Sequence, residues 1–251
     1  MIKVGIIGCG FVGSALKAWL EENNPNVAIA VSDPPKGIND DISGADVYFI
    51  QIHVPTEDNG TQDLTLMKSI IAGLPDKPIF IRTTILPGTS ERLSRETKHR
   101  VYFMPEFLTE RTYLEDFKVQ PMVFTAEEEL LSRIFQGKKH IVMSSLEAEI
   151  TKYAHNVFGA YKVTYWNAVY DYCRRVGADY AKVHEGCLLS GYINETHTNV
   201  PGPDGKFGYG GKCFPKDVNA LAEATKDVPL GRLIANLHEL NVLFRGFEER
   251  I

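Results

Sequence analysis

The chain has 251 residues, 44% apolar and 24% charged, ordinary globular material with apolar side chains enough for one large core or two modest ones. A net charge of −5, with lysines and arginines scattered along the chain, leaves no basic patch for a phosphate backbone and excludes nucleic acid as a partner. The opening MIKVGIIGCG reaches glycines too soon for a signal peptide or membrane span, the four cysteines include no CxxC pair, and the seven histidines have no ligand spacing; the expectation is a cytoplasmic protein with reduced thiols, no membrane contact and no metal.

In chain order, Lys3 to Ile7 is an apolar run that ends at Gly8-Cys9-Gly10-Phe11-Val12-Gly13, after which Ala15, Leu16, Trp19 and Leu20 recur at helical spacing. A second run, Val27 to Val31, ends at Ser32-Asp33, twenty residues beyond Gly13. Strand, glycine turn, helix, strand and acid in this order predict a dinucleotide fold. The turn Gly8, Gly10, Phe11, Val12, Gly13 would carry the pyrophosphate at a helix N-terminus, and Asp33 would accept from the ribose hydroxyls. A carboxylate there repels a 2′-phosphate, so the expected cofactor is NAD.

Further apolar strands follow. Asp46 to His53 runs into Val54-Pro55-Thr56, Pro78 to Arg82 into Thr83-Thr84-Ile85-Leu86-Pro87-Gly88-Thr89, and Val101 to Met104 into Pro105-Glu106-Phe107-Leu108. Continuous apolar strands alternating with helical stretches predict an α/β Rossmann-type domain with a parallel sheet covered on both faces. Thr56, Thr84 and Glu106 then lie at the C-terminal ends of strands, where ligands bind, or simply cap the next helix.

From Ser144-Ser145-Leu146-Glu147 to about Gly177 only Gly159 interrupts a helical pattern, which predicts one helix of about 45 Å. Domains at 1–144 (NAD-binding) and 145–251 (helical) follow. Aromatic and apolar residues on several faces of the helix, among them Tyr153, Phe158, Tyr165, Trp166 and Tyr172, predict a homodimer. Lys152 shares a helix face with Asn156 and with Glu149; the bland alternative is a solvated face with a local ion pair. Finally, GYGGKCFPKD at 208–217 places Cys213 beside glycines that leave a thiol open to approach.

Taken together, GCGFVG, VPT, TTILPGT, MPEFLTE, EAEITKYAHNVFGAYKVTYWNAVYD and FGYGGKCFPKD resemble, in order, the signature segments of the UDP-glucose and GDP-mannose dehydrogenase family. The resemblance implies oxidation of a sugar's primary alcohol to the acid with two NAD in turn, on a sugar or nucleotide-sugar substrate. Cys213 would form a thiohemiacetal with the intermediate aldehyde and then a thioester that water hydrolyses. Lys152 would stabilise the alkoxide and oxyanion and favour the thiolate, with Asn156 as a donor beside it. Asp217 and Thr84 would hold a water that carries the proton away, Glu106 would serve in hydrolysis and Glu110 would sit near the nicotinamide side, with the hydrolytic step open between the two glutamates. The same resemblance adds Pro55, Thr56, Thr84 and Lys216 to the cofactor set.

Three departures accompany it. The sequence stops at Ile251, before the second α/β domain that holds the substrate's nucleotide in the family. Only a dozen residues separate Asp33 from Asp46, so the adenine side is trimmed. The stretch before GYGG lacks the arginine a neighbouring subunit offers to the sugar, for which His197 is a candidate substitute. Two other expectations stay open: a non-catalytic NAD-binding or partner protein, and a two-electron hydroxyacid dehydrogenase, which needs no Cys213.

Overall fold

The computed structural model describes residues 1–57 and 59–246; 247–251, the end of the expected second domain, lie outside the described residues. The chain divides into two compact units. The first comprises Met1–Pro55 and Gln62–Lys152, the second Thr56–Thr61 and the chain from Tyr153 on.

In the first unit, β1 (Ile2–Ile7), β2 (Val27–Asp33), β3 (Ile38–Asn39), β4 (Val47–Ile50), β5 (Ile79–Ile81) and β6 (Val101–Phe103) form one sheet in the order β3-β2-β1-β4-β5-β6. Val4 is in register with Ile29 on one side and Val47 on the other. All neighbours are parallel except β2 and β3. The antiparallel β3 is a short edge strand on the expected parallel sheet. Between Asp33 and β3 there is only a single helical turn, Pro34–Lys36, and so short a connection cannot cross over to a parallel neighbour.

Alternation along β4 shows why its sequence is apolar throughout. Val47 and Phe49 join the core that contains Ala15, Leu16, Trp19 and Leu20 of α1 (Phe11–Asn23). Tyr48 and Ile50 join the other, with Met67 and Ile71 of α2 (Thr65–Gly73) and Leu93 of α3 (Thr89–Thr97). Successive strand residues point to opposite faces, and both faces are covered. The chain continues through α4 (Tyr113–Val119), β7 (Met122–Phe124), α5 (Glu128–Ile134) and β8 (His140–Val142). β7 and β8 pair as a separate two-stranded parallel sheet that the sequence pattern did not suggest.

The long helix α6 spans Ser145–Val176. It opens with a capping box, in which Ser144 N donates to Glu147 Oε2 (2.7 Å) and Glu147 N to Ser144 Oγ (3.2 Å). It stops at Gly177, whose φ of 73° is left-handed. The expected domain boundary at 144/145 is displaced to 152/153 because the first turns of α6 are tied into the first unit. Phe103 N donates to Ser145 Oγ (3.2 Å), and Gly88 N and Ser90 N donate to Glu149 (2.5 and 2.9 Å).

The second unit is helical, with α7 (Tyr180–Leu188), α8 (Phe214–Ala224) and α9 (Pro229–Arg245) beside the remainder of α6. Gly159, the lone glycine inside α6, has a packing reason: a Cβ there would stand 2.7 Å from Phe214 Cζ. Trp166, counted from sequence with the interface residues, is buried against Tyr180 and His184. Phe158, Tyr165 and Tyr172 are exposed at intervals of seven residues. Among the described residues no helix is long and apolar enough to cross a membrane.

Candidate active site

The glycine turn after β1 divides its labour. Gly8 has φ 87°, and a Cβ on it would sit 2.8 Å from Gln51 O; a Cβ on Gly13 would sit 2.1 Å from Gly8 O. These two glycines permit the tight turn and the close approach of α1. Gly10 has no atom within 4 Å of its virtual Cβ and is the N-cap residue of α1. That open, donor-rich helix start fits a pyrophosphate. Asp33, at the end of β2, accepts from Cys9 N through Oδ2 (2.7 Å), so it also braces the turn. Lys36 Nζ donates to Cys9 O (2.6 Å). Phe11 packs edge-on against Tyr113, and Val12 lies in the first turn of α1.

At the neighbouring strand ends, Pro55 O accepts from Asp63 N (2.9 Å). The Thr56 hydroxyl is buried without a hydrogen-bond partner, a donor and acceptor a ligand would satisfy. Thr84 is buried, and Gln62 staples its turn by donating to Thr84 O (3.2 Å) while accepting from Leu86 N (3.0 Å).

Geometry separates the two candidate glutamates. Glu106 is buried; its Oε2 accepts from Leu108 N (2.7 Å) and its Oε1 from Lys152 Nζ (2.9 Å). Lys152 also reaches Glu106 O (2.5 Å) and lies over the Phe107 ring. Glu110 is exposed. The helix-face pairing of Lys152 with Glu149 is not formed, because Glu149 caps α3 instead; burial pushes its carboxyl up.

In the second unit, Cys213 is the N-cap residue of α8 and partly exposed, one turn before the buried Asp217. Asp217 Oδ2 accepts from Asn156 Nδ2 (2.6 Å), its Oδ1 pairs with Lys216 Nζ, and its backbone N donates to Cys213 O (3.0 Å). The helix thus presents a thiol at its positive end and a doubly held carboxylate beneath it.

The glycine-rich loop is pinned by residues the sequence did not single out. Gly208 N donates to Asn167 Oδ1 (2.9 Å), Tyr209 N to Asn241 Oδ1 (2.7 Å), and Arg245 Nε to Tyr209 O (2.9 Å). A Cβ on Gly210 would meet Arg245 Nη2, whereas one on Gly211 would meet nothing within 4 Å. Gly211 is the glycine that leaves Cys213 approachable. His197 leans edge-on against Phe214, and burial with the Lys162 and His155 charges lowers its imidazole below the ordinary value.

Residues 146–242 match the central domain of the UDP-glucose/GDP-mannose dehydrogenase family. A UDP-glucose 6-dehydrogenase from Rickettsia conorii is 31% identical over 201 residues, which is 73% of this chain and 45% of that protein. The chain spans about half the length of the curated relatives it matches. Among solved structures, a UDP-glucose dehydrogenase from Pyrobaculum islandicum superposes with a TM-score of 0.81 at 24% identity, covering 97% of this chain and 68% of that one. A 3-hydroxyisobutyrate dehydrogenase from Mycobacterium tuberculosis gives 0.68 at 16% identity, covering 98% and 95%. Residues 146–242 are thus similar to the central domain of the UDP-glucose/GDP-mannose dehydrogenase family, and the chain shares the fold of the solved dehydrogenases.

Proposed function

We propose that the chain works as an NAD-dependent nucleotide-sugar dehydrogenase of the UDP-glucose 6-dehydrogenase type, taking a sugar primary alcohol through the aldehyde to the acid. The observation that carries this is Cys213 at the start of α8 with the buried, Asn156-held Asp217 one turn below it. A two-electron oxidation of an alcohol needs no such thiol.

Gly8 to Gly13, Asp33, Pro55, Thr56, Thr84 and Lys216 would hold NAD, which would supply a hydride acceptor for each of the two oxidations. Lys152 stabilises the alkoxide as the alcohol proton leaves to water. The Cys213 thiolate then adds to the aldehyde carbon, and the tetrahedral oxygen takes up its charge opposite Lys152 and Asn156. Loss of the second hydride leaves the acyl group on Cys213. Glu106 removes a proton from water as it attacks that thioester, which frees the acid and restores the thiol. Burial beside Lys152 favours Glu106 over the exposed Glu110 for this step.

The partner we propose is a second copy of the chain, with the exposed stripe Phe158, Tyr165, Tyr172 at the contact. The place of work is cytoplasmic. The 3-hydroxyisobutyrate dehydrogenase likeness favours one competing reading, a two-electron dehydrogenase. Mass spectrometry of products formed with NAD and a panel of sugars, with and without a nucleotide, decides between them. Acid is expected; aldehyde or ketone as the only product would overturn the proposal, and no product with any sugar would favour a binding role.

A further inference from the structure

Arg82 follows directly on β5 and is 2% exposed, yet its Nε and Nη1 have no hydrogen-bond partner. Its guanidinium carbon stands 5.2 Å from the centre of the Phe117 ring. A buried guanidinium with unsatisfied donors is costly unless something in the structure uses them. Beside it is a cavity of about 20 Å³ walled by Phe107, Leu108, Phe117 and Met122, whose polar lining is Arg82, Glu106 and Gln120. That volume admits one water, which needs roughly 10 to 15 Å³. The Gln120 amide already donates to Phe107 O (3.1 Å), and Glu106 is the one carboxylate on the wall.

The charges around the cavity identify what the donors serve. Burial lowers the Arg82 guanidinium to about 10, and Glu106 opposes that shift. The other cation close by is Lys138, brought down to about 8 by burial and by the Arg82 charge. Lys138 is occupied with the carbonyls of Lys118 (3.0 Å) and Gln120 (3.2 Å) at the end of α4. On its other side Glu106 accepts from Lys152 Nζ (2.9 Å). When Lys152 turns to the reacting oxygen, the buried Glu106 Oε1 loses that hydrogen bond, and a donor from the cavity side would take its place.

We propose that Arg82 is the positioning residue of Glu106: it donates into the cavity to a bound water that donates in turn to the Glu106 carboxylate, which stays charged while Lys152 is engaged elsewhere. The inference rests on the role given to Glu106 in thioester hydrolysis, but its test needs no turnover. In the full chain, labelled at glutamate carboxyl carbons and arginine nitrogens, the two signals are assigned with Glu106→Gln and Arg82→Lys. The Arg82 Nε resonance should move with the same midpoint as the Glu106 carboxyl. Arg82→Met should shift the Glu106 midpoint upward by about one unit or more, a tenfold change in proton affinity, and Arg82→Lys should restore it. An Arg82 signal that stays flat through the Glu106 titration overturns the proposal, as does an unchanged midpoint in a folded Arg82→Met. If Arg82→Met does not fold, the wild-type and Arg82→Lys titrations decide. A flat Arg82 signal in a chain that makes acid discards this role and leaves the dehydrogenase reading intact. Coupled signals in a chain that makes none do the reverse.

Discussion

Asn156 Nδ2 stands 2.6 Å from Asp217 Oδ2, both side chains buried, and this hydrogen bond ties the first half of α6 to the first turn of α8. Removing the amide leaves a buried carboxylate with Lys216 as its remaining side-chain partner. Asn156→Ala should therefore destabilise the protein by about 1–3 kcal/mol, the cost of leaving a buried acceptor unmet. Urea unfolding measures it, and an unchanged midpoint would mean that water replaces the amide without loss.

Cys213→Ala should retain the first oxidation, because Lys152 and the water do not depend on sulfur, while acid formation falls by orders of magnitude. Cys213→Ser should stall later, at the slower hydrolysis of an ester. The burial of Cys9 and Cys173 leaves Cys187 as the one competitor for iodoacetamide. Peptide mapping should find Cys213 modified ahead of Cys187 and protected by substrate. Full acid production by the alanine variant would end the covalent mechanism.

Cofactor choice is best probed with Asp33→Asn. The amide oxygen can still accept from Cys9 N, which Asp33 now holds at 2.7 Å, so the glycine turn survives while the charge that repels a 2′-phosphate is gone. Wild type should bind NAD at least about tenfold tighter than NADP, or 1.4 kcal/mol, and the variant should narrow that gap. Calorimetric titration giving equal wild-type affinities would strip Asp33 of its selective role.

Association should depend on the exposed stripe of α6 and not on Trp166. Phe158→Glu or Tyr165→Glu should turn a dimer into folded monomers, read by light scattering at micromolar concentration. Trp166→Glu places a charge in a buried site and should unfold the unit instead. A wild-type mass of one chain would dismiss the dimer.

His197 supplies a pH dependence. Its folded value is lowered from 6.5, so the unfolded state binds the proton better; its contribution to stability is present above about pH 6.5 and is lost as pH falls through the folded value. His197 has φ 63°, which Asn tolerates, so His197→Asn is the clean comparison. Stability of the wild type should drop more steeply than that of the variant between about pH 7 and 5. Parallel curves would show that His197 titrates normally.

The glycine turn, Asp33, the central strands and the full length of α6 were legible because each is a local pattern: a period, a cap, or a glycine at a fixed offset. β7 and β8, three residues each, are too short for alternation to register. The supports of the GYGG loop were hidden for a different reason. Asn167 lies 41 residues before Gly208, and Asn241 lies 32 after Tyr209, so only tertiary folding brings them together. Arg82 closes an apolar strand and looks like any polar strand end; its burial, its idle donors and the cavity beside it exist only in three dimensions. Trp166 misled for a related reason, since helical spacing marks a face without saying what covers it.

One consequence of α6 concerns hydrogen exchange. Its 32 residues form one uninterrupted helix, but the turn around Glu149 is hydrogen-bonded into the first unit and Asn167 holds a loop of the second. Amides along one helix should thus exchange as two reporters, those near 148–152 at the opening free energy of the first unit and those near 163–170 at that of the second. Asn241→Ala, which frees the loop backbone, should speed exchange in the latter stretch and leave the former unchanged. A single common rate along the helix would instead show that the two units open together.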